Sequence, residues 1–235
     1  MSNADESARY RKLSVIVPVF DERNTVVEIV RRMRAVDLPV DLEIVIVDDG
    51  STDGTGDVLR QLADSTVRVV LHEHNKGKGA AIRTGLEKVT GDLVLIQDAD
   101  LEYDPEDWPK LLAPVLRGKA QVVYGSRFTG ERRNMLFLHW VGNRFLSLVT
   151  NVLYNTTLSD METCYKLMSR DVLEALDLRA DHFDIEPEIT AKILRRHIRI
   201  YEVPISYAGR EFDEGKKISW RDGFGALWML LKCRV

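Results

Sequence analysis

Leu93-Val94-Leu95-Ile96-Gln97-Asp98-Ala99-Asp100 sets four apolar residues directly before two carboxylates spaced one residue apart. A short continuous apolar run reads as a strand buried on both faces, as in a parallel sheet covered by helices. Asp98 and Asp100 then fall where the strand ends, and ligands of open α/β sheets bind beyond the carboxyl ends of the strands. Two such carboxylates repel each other unless a cation or a proton lies between them. Oxygen donors alone suit a hard divalent ion, Mg²⁺ or Mn²⁺, which also takes substrate phosphate oxygens. A metal-diphosphate site is the first expectation. The bland alternative is a pair of solvated loop carboxylates.

Around this strand the pattern repeats. Leu13–Val17 is a first strand, which Pro18 should end, and Val26, Ile29, Val30 and Met33 follow at helical spacing with Asp21 or Asn24 as N-cap. Leu42–Val47 is a second strand. Its loop, Asp48-Asp49-Gly50-Ser51-Thr52-Asp53-Gly54-Thr55, is either a turn with a helix cap or a carboxylate set to meet a nucleobase or ribose. Val67–Leu71 is a third strand, with His72 and His74 read as a solvated edge in preference to a metal pair. Asn75-Lys76-Gly77-Lys78-Gly79 opens a helix whose glycines let backbone N–H groups approach an anion, with Lys78 adding charge. Four strand-helix units with polar loops at the strand ends describe a doubly wound α/β sheet.

Beyond the organising strand, Trp108–Leu116 reads as a helix and Gln121–Gly125 as a strand ending in Ser126-Arg127. After Gly130 the character changes. Met135–Tyr154 is too apolar for an ordinary surface helix and too broken for a membrane span, which leaves a core helix or an interfacial one. Lys166-Leu167-Met168 reads as a short strand, Arg170–Leu176 as a helix, and a further helix runs to His197. Ile198–Ile205 reads as a strand, Arg210–Lys217 as a charged loop, and Trp220–Leu231 as a last apolar helix. Residues 1–11 read as a disordered tail and 12–235 as one domain, with halves at about 12–128 and 129–235.

Composition limits the function. The 235 residues are 45% hydrophobic and 30% charged, with a formal net charge of -4. No basic excess exists to neutralise a nucleic-acid backbone, so no nucleic-acid partner is expected. Cys164 and Cys233 form no framework and fit a reducing compartment. The polar start carries no signal-peptide pattern, and no run of about 20 apolar residues could span a bilayer.

Taken together, the loops resemble those of the inverting family 2 glycosyltransferases, and more narrowly the dolichyl-phosphate mannose synthases and polyprenyl-phosphate glucosyltransferases. The resemblance rests on Pro18-Val19-Phe20-Asp21-Glu22, Val47 through Asp53, Asn75 through Gly79, Asp98-Ala99-Asp100, Gly125-Ser126-Arg127, Ser159-Asp160 and the Arg210–Lys217 loop. It implies a GT-A fold, a Rossmann-like mixed, mostly parallel sheet with helices on both faces and apolar interface helices. It also implies roles for single residues. Pro18, Phe20, Glu22, Val47 and Asp49 would line the nucleoside pocket, with Ala99 among the substrate contacts. Asp98, Asp100 and Glu102 would hold Mg²⁺ or Mn²⁺, Glu102 standing where the synthases have Gln. Arg127, Arg210 and Lys217 would grip the diphosphate and the acceptor phosphate. Asp160 would be an acceptor-side carboxylate, and a general base if the nucleophile were a sugar hydroxyl. Catalysis would centre on Asp100, Arg127 and Asp160.

Two departures bear on the sugar. Phe20 lacks the usual Tyr hydroxyl, and Asp160-Met161-Glu162-Thr163-Cys164-Tyr165-Lys166 replaces Asp-x-x-x-Gly-Phe-Arg/Lys. They favour UDP-glucose slightly over GDP-mannose. The implied partners are a nucleotide sugar, a polyprenyl phosphate and the cytoplasmic face of a membrane, with Met135–Tyr154 and Trp220–Leu231 as peripheral contacts or a homo-oligomer interface. A nucleotidyltransferase would want a Gly-rich loop after the first strand, where this chain has Pro18-Val19-Phe20-Asp21-Glu22. A transferase acting on a soluble sugar acceptor and a catalytically silent nucleotide-sugar-binding module both remain compatible with these loops.

Overall fold

The computed structural model describes residues 10–210 and 220–234. Among them, seven strands form one sheet in the order β3-β2-β1-β4-β6-β5-β7. These are β1 (Lys12–Val19), β2 (Asp41–Asp48), β3 (Val67–Leu71), β4 (Leu93–Ile96), β5 (Val122–Ser126), β6 (Lys166–Ser169) and β7 (Ile200–Pro204). β1 pairs in parallel with β2 and β4, β2 with β3, and β5 with β7. β6 runs antiparallel between β4 and β5. That single reversed strand makes the sheet mixed, as the resemblance implied.

The strands are apolar because both faces are covered. Every residue of β4 and β5 is buried. The helices are α1 (Val26–Ala35), α2 (Thr55–Leu62), α3 (Lys78–Leu86), α4 (Trp108–Leu116), α5 (Phe137–Tyr154), α6 (Arg170–Ala175), α7 (Ile185–Arg195) and α8 (Trp220–Arg234). α1 buries Val26, Ile29, Val30 and Met33, the stripe its spacing announced.

Several expectations need correction. Pro18 does not end β1, which runs on to Val19 opposite Asp48. Ile16 O accepts from Gln97 N and Val19 O from Asp49 N, so alternation turns the Pro18 nitrogen toward β4. β4 pairing has already stopped at Ile16↔Ile96, so the missing N–H leaves no ladder bond unmade. Neither Asp21 nor Asn24 caps α1. The N-cap is Thr25, and Asp21, left-handed at φ 48, accepts instead from Thr52 N at 2.8 Å. His72 is not a solvated edge, since its side chain is buried against Asp49 while His74 is exposed. Arg11 is not loose tail, because its carbonyl accepts from Asp41 N at 2.8 Å. Residues 1–9 lie outside the described residues.

For α5, which the sequence leaves open between a core and an interfacial helix, burial decides against the core. It buries only Leu146, Ser147 and Thr150. Leu138, Val141, Phe145, Leu148 and Val152 are exposed at alternating spacings of three and four, which is one helical stripe. Leu138 is 79% and Val152 75% exposed. α5 packs on α8, where Tyr154 OH donates to Leu230 O at 2.7 Å. α8 adds exposed Phe224, Trp228 and Leu231.

Candidate functional site

The site gathers at the carboxyl ends of β1, β2 and β4. β4 stops at Ile96, and the next side chain, Gln97, is pinned in the core by Trp108 Nε1 at 3.1 Å and Tyr165 OH at 2.6 Å. The chain then turns through Leu101, left-handed at φ 64. A left-handed leucine costs about 1–2 kcal/mol. The turn leaves Asp100 and Glu102 on either side of it, and both approach Arg210.

The carboxylates divide into two sets. Asp98 Oδ1 lies 2.8 Å from Lys78 Nζ, which is also 3.1 Å from Glu186 Oε1. Glu186 Oε2 in turn pairs with the fully buried Lys166 at 2.5 Å. Two carboxylates and two ammonium groups close this set neutral. Burial opposes the Asp98 charge, but Lys78 holds that carboxyl below its ordinary value. Lys78 is likewise raised well above its ordinary value, because Asp98 and Glu186 outweigh burial.

The second set is Asp100, Glu102 and Glu22. Arg210 NH2 lies 3.1 Å from Asp100 Oδ2 and 3.0 Å from Glu22 Oε1, and its Nε is 3.9 Å from Glu102 Oε1. Glu102 also accepts from Tyr207 OH at 2.6 Å and Arg210 N at 2.8 Å. Among the described residues Arg210 is the ion-pair partner of both Asp100 and Glu102, so these two carboxylates share one guanidinium. Burial, then Asp98 and Glu102, push the Asp100 carboxyl up to about 7.

The expected metal trio is not assembled. Among the described residues no cluster of three or more His, Cys, Asp or Glu side chains is arranged to hold a metal ion. Asp98 is drawn to Lys78 while Asp100 and Glu102 are drawn to Arg210. The donor set nonetheless fits a divalent ion, since Asp100 and Glu102 share one guanidinium among the described residues. Such an ion is usually held by one or two carboxylates together with substrate phosphates.

The nucleoside-side residues fall on the same edge. Asp49 Oδ1 accepts from Lys76 N at 2.9 Å and meets His72 Nδ1 at 2.7 Å, and Oδ2 accepts from Gly77 N at 2.7 Å. Gly77 has φ 99, a conformation suited to glycine. Asp49 therefore shapes the 75–79 loop before it meets any ligand. Val47 is fully buried, so only its backbone could line a pocket. Pro18 and Phe20 are half-buried, and Ala99 is buried between the two aspartates.

Arg127 and Asp160 form a separate buried pair. Asp160 Oδ2 accepts from Arg127 N at 3.0 Å and Nε at 2.7 Å, and Oδ1 accepts from NH2 at 2.7 Å. Asp160 is fully buried. Both oxygens of this carboxylate are thus engaged by Arg127. Burial opposes the Arg127 charge, yet Asp160 keeps it well above its ordinary value. Glu202 fixes the loop by accepting from Ser159 N at 3.0 Å and Asp160 N at 3.3 Å. Beside this pair, the Phe128 ring lies under the guanidinium groups of Arg132 at 5.3 Å and Arg144 at 5.5 Å. Lys217 lies outside the described residues.

Lys166, Glu186, Tyr207 and Glu202 were not singled out from the sequence. Lys166 did carry a signal, a charge opening an otherwise apolar strand. Glu162 is another such group. It is half-buried, and its Oε1 has no hydrogen-bond partner. Burial pushes its carboxyl from 4.5 up to about 7. The folded chain therefore binds more protons than the unfolded one between those values, and stability falls as pH rises through that window. Glu162→Gln is expected to stabilise the protein by about 1–3 kcal/mol at pH 8 and to leave stability unchanged near pH 4. Thermal unfolding at both pH values checks this, and an equal shift at both would assign the effect to packing.

Comparison with known proteins agrees with this geometry. Residues 14–177 match the model of glycosyl transferase family 2. A low-salt glycan biosynthesis hexosyltransferase of Haloferax volcanii is 33% identical over 217 residues, covering 90% of this chain and 51% of the relative. An undecaprenyl-phosphate 4-deoxy-4-formamido-L-arabinose transferase of Salmonella enteritidis is 31% identical, covering 90% and 64%. The chain thus spans between half and two thirds of the length of these relatives. Glucosyl-3-phosphoglycerate synthase of Mycobacterium tuberculosis, solved with Mn²⁺, UDP and glucosyl-3-phosphoglycerate, superposes with a TM-score of 0.73 at 23% identity, covering 99% of this chain and 84% of the other. That likeness bears out the expected GT-A fold. With a family match over most of its length and the acidic strand-end site in place, this chain belongs to glycosyl transferase family 2.

Proposed function

We propose that the chain transfers a hexose from a nucleoside-diphosphate sugar to a polyprenyl phosphate, with inversion, at the cytoplasmic surface of a membrane. The observation that carries this reading is the pair of strand-end carboxylates, Asp100 and Glu102, sharing one guanidinium among the described residues, on a chain with an exposed apolar stripe. A hexosyltransferase and an undecaprenyl-phosphate sugar transferase among the relatives support it.

Asp100 and Glu102 would hold Mg²⁺ or Mn²⁺, with Asp98 kept beside them by Lys78. The ion, when bound, would neutralise charge developing on the departing diphosphate. Arg210 and Lys217 would orient phosphate oxygens. Pro18, Phe20, the Val47 backbone and Asp49 would border the nucleoside. An acceptor phosphate oxygen would attack the anomeric carbon from the face opposite the diphosphate. That C–O bond forms as the bond to the diphosphate breaks, and the electron pair leaves with the diphosphate. The nucleophile is already anionic, so no side chain need take its proton. This agrees with an Asp160 already committed to Arg127. Arg132 and Arg144 at Phe128 have no carboxylate partner among the described residues, which suits an anionic headgroup. The apolar stripe of α5 and α8 would lie against the bilayer beside them. No helix among the described residues is long and apolar enough to cross a membrane.

Release of UDP or GDP from a panel of donors, with a polyprenyl phosphate in liposomes, tests the reading. Turnover only with a water-soluble acceptor would replace it with transfer to a soluble sugar. A second test concerns attachment. Wild type is expected to float with anionic liposomes at low salt, and Phe145→Asp and Trp228→Asp are expected to cut the bound fraction severalfold. Wild type that stays unbound, and sediments as a dimer which Trp228→Asp dissolves, would assign the stripe to a homo-oligomer.

A further inference from the structure

Arg210 stands where a cation is needed. It lies 3.1 Å from Asp100 and 3.0 Å from Glu22, with its backbone N–H on Glu102 at 2.8 Å. Among the described residues it is the only ion-pair partner of Asp100 and of Glu102. Its Nε is buried with no hydrogen-bond partner. A guanidinium fork normally spends its donors on bidentate pairing. Here NH1 and NH2 make that pair with Glu22, at 3.2 and 3.0 Å, and NH2 is shared with Asp100 at 3.1 Å. Lys78 contrasts with it, because Lys78 belongs to a set that is neutral on its own.

We infer that Arg210 is the resident counter-ion of the metal carboxylates, so that it bars a free divalent ion and yields only to one arriving with a diphosphate. The inference rests on the nucleotide-sugar reading of this site. A bare ion would have to dehydrate and then bind Asp100 and Glu102 beside a guanidinium that Glu22 holds against them. Small divalent ions dehydrate reluctantly. A metal–diphosphate complex differs, because its phosphate oxygens offer Arg210 a replacement partner. The guanidinium then exchanges Asp100 for a phosphate oxygen while keeping Glu22, and the diphosphate charge offsets the repulsion between ion and guanidinium. Donor and metal would enter together, and the site would stay closed to metal between turnovers.

The experiment is Mn²⁺ binding without catalysis, followed by loss of the free-ion spin resonance signal. Wild type, Arg210→Ala and Arg210→Lys are titrated with Mn²⁺ alone and with Mn²⁺ plus UDP. Wild type is expected to bind Mn²⁺ alone at least ~10-fold more weakly than Arg210→Ala. Arg210→Lys should fall between them, since an ammonium lacks the fork that reaches Glu22, Asp100 and Glu102 together. UDP should shrink the difference. Arg210→Lys keeps the charge and preserves the comparison if the alanine variant does not fold. Equal affinities for Mn²⁺ alone, with Mn²⁺–UDP still bound, would overturn the counter-ion role and leave the nucleotide-sugar reading standing. If Mn²⁺–UDP binds none of the three proteins, both fall.

Discussion

Asp100→Asn is expected to lower turnover roughly 100-fold or more, on the scale of losing a main electrostatic stabiliser, without lowering the melting temperature. The two halves of that expectation have one cause. Burial, Asp98 and Glu102 all disfavour the Asp100 charge, which holds its carboxyl near 7. The native fold therefore gains little from this carboxylate being ionised at neutral pH, and an isosteric amide relieves the repulsion. On the proposed reading the charge serves a ligand. Asp98→Asn should behave differently, because it removes one of two carboxylates from the neutral Lys78, Lys166 and Glu186 set. It is expected to destabilise as well as to slow. Steady-state release of nucleoside diphosphate, read beside thermal unfolding, separates the two. An Asp100→Asn protein with wild-type turnover would remove Asp100 from the reaction.

The fold was largely legible because its signal is local. β1 to β4 are short apolar runs bounded by polar turns, and α1 announces its buried face by spacing alone. The strand-end position of Asp98 and Asp100 followed from the same reading. Partner choice within the site did not. Arg210 and Glu22 are 188 residues apart, and Glu102 and Tyr207 are 105 apart. Nothing in either stretch states which carboxylate takes which cation. The neutral set is equally hidden, since Lys166 enters from the reversed strand β6 and Glu186 from the first turn of α7. Pro18 misled because its rule concerns ladder hydrogen bonds, and the strand that would have needed its N–H ends two residues earlier. α5 could not be decided from composition. A helix this apolar can sit in a core or against an outside phase, and only the neighbours that leave its Leu138-to-Val152 stripe uncovered settle which.

Arg127→Met is expected to destabilise the protein by about 3–5 kcal/mol, the range for stranding one member of a buried ion pair. Asp160 is fully buried, and without the guanidinium it keeps one donor in this pairing, the Arg127 backbone N–H at 3.0 Å. The variant should also lose the contact of Arg127 NH2 with Asn143 Oδ1 at 3.1 Å and the packing of the guanidinium over the Tyr207 ring at 5.3 Å. Tyr207 donates to Glu102, so the damage runs toward the acidic set. Urea unfolding of Arg127→Met, Asp160→Leu and the double variant forms a cycle that isolates the pair. The double variant should recover much of the loss, because two apolar side chains remove the uncompensated charge along with the pair. A single-variant cost below about 1 kcal/mol would mean that Asp160 finds another partner. Turnover of the double variant then assigns the role of Arg127. If stability returns and activity does too, the pair only holds the loop. If stability returns while activity stays lost, the guanidinium itself acts on substrate, and Asp160 serves to aim it.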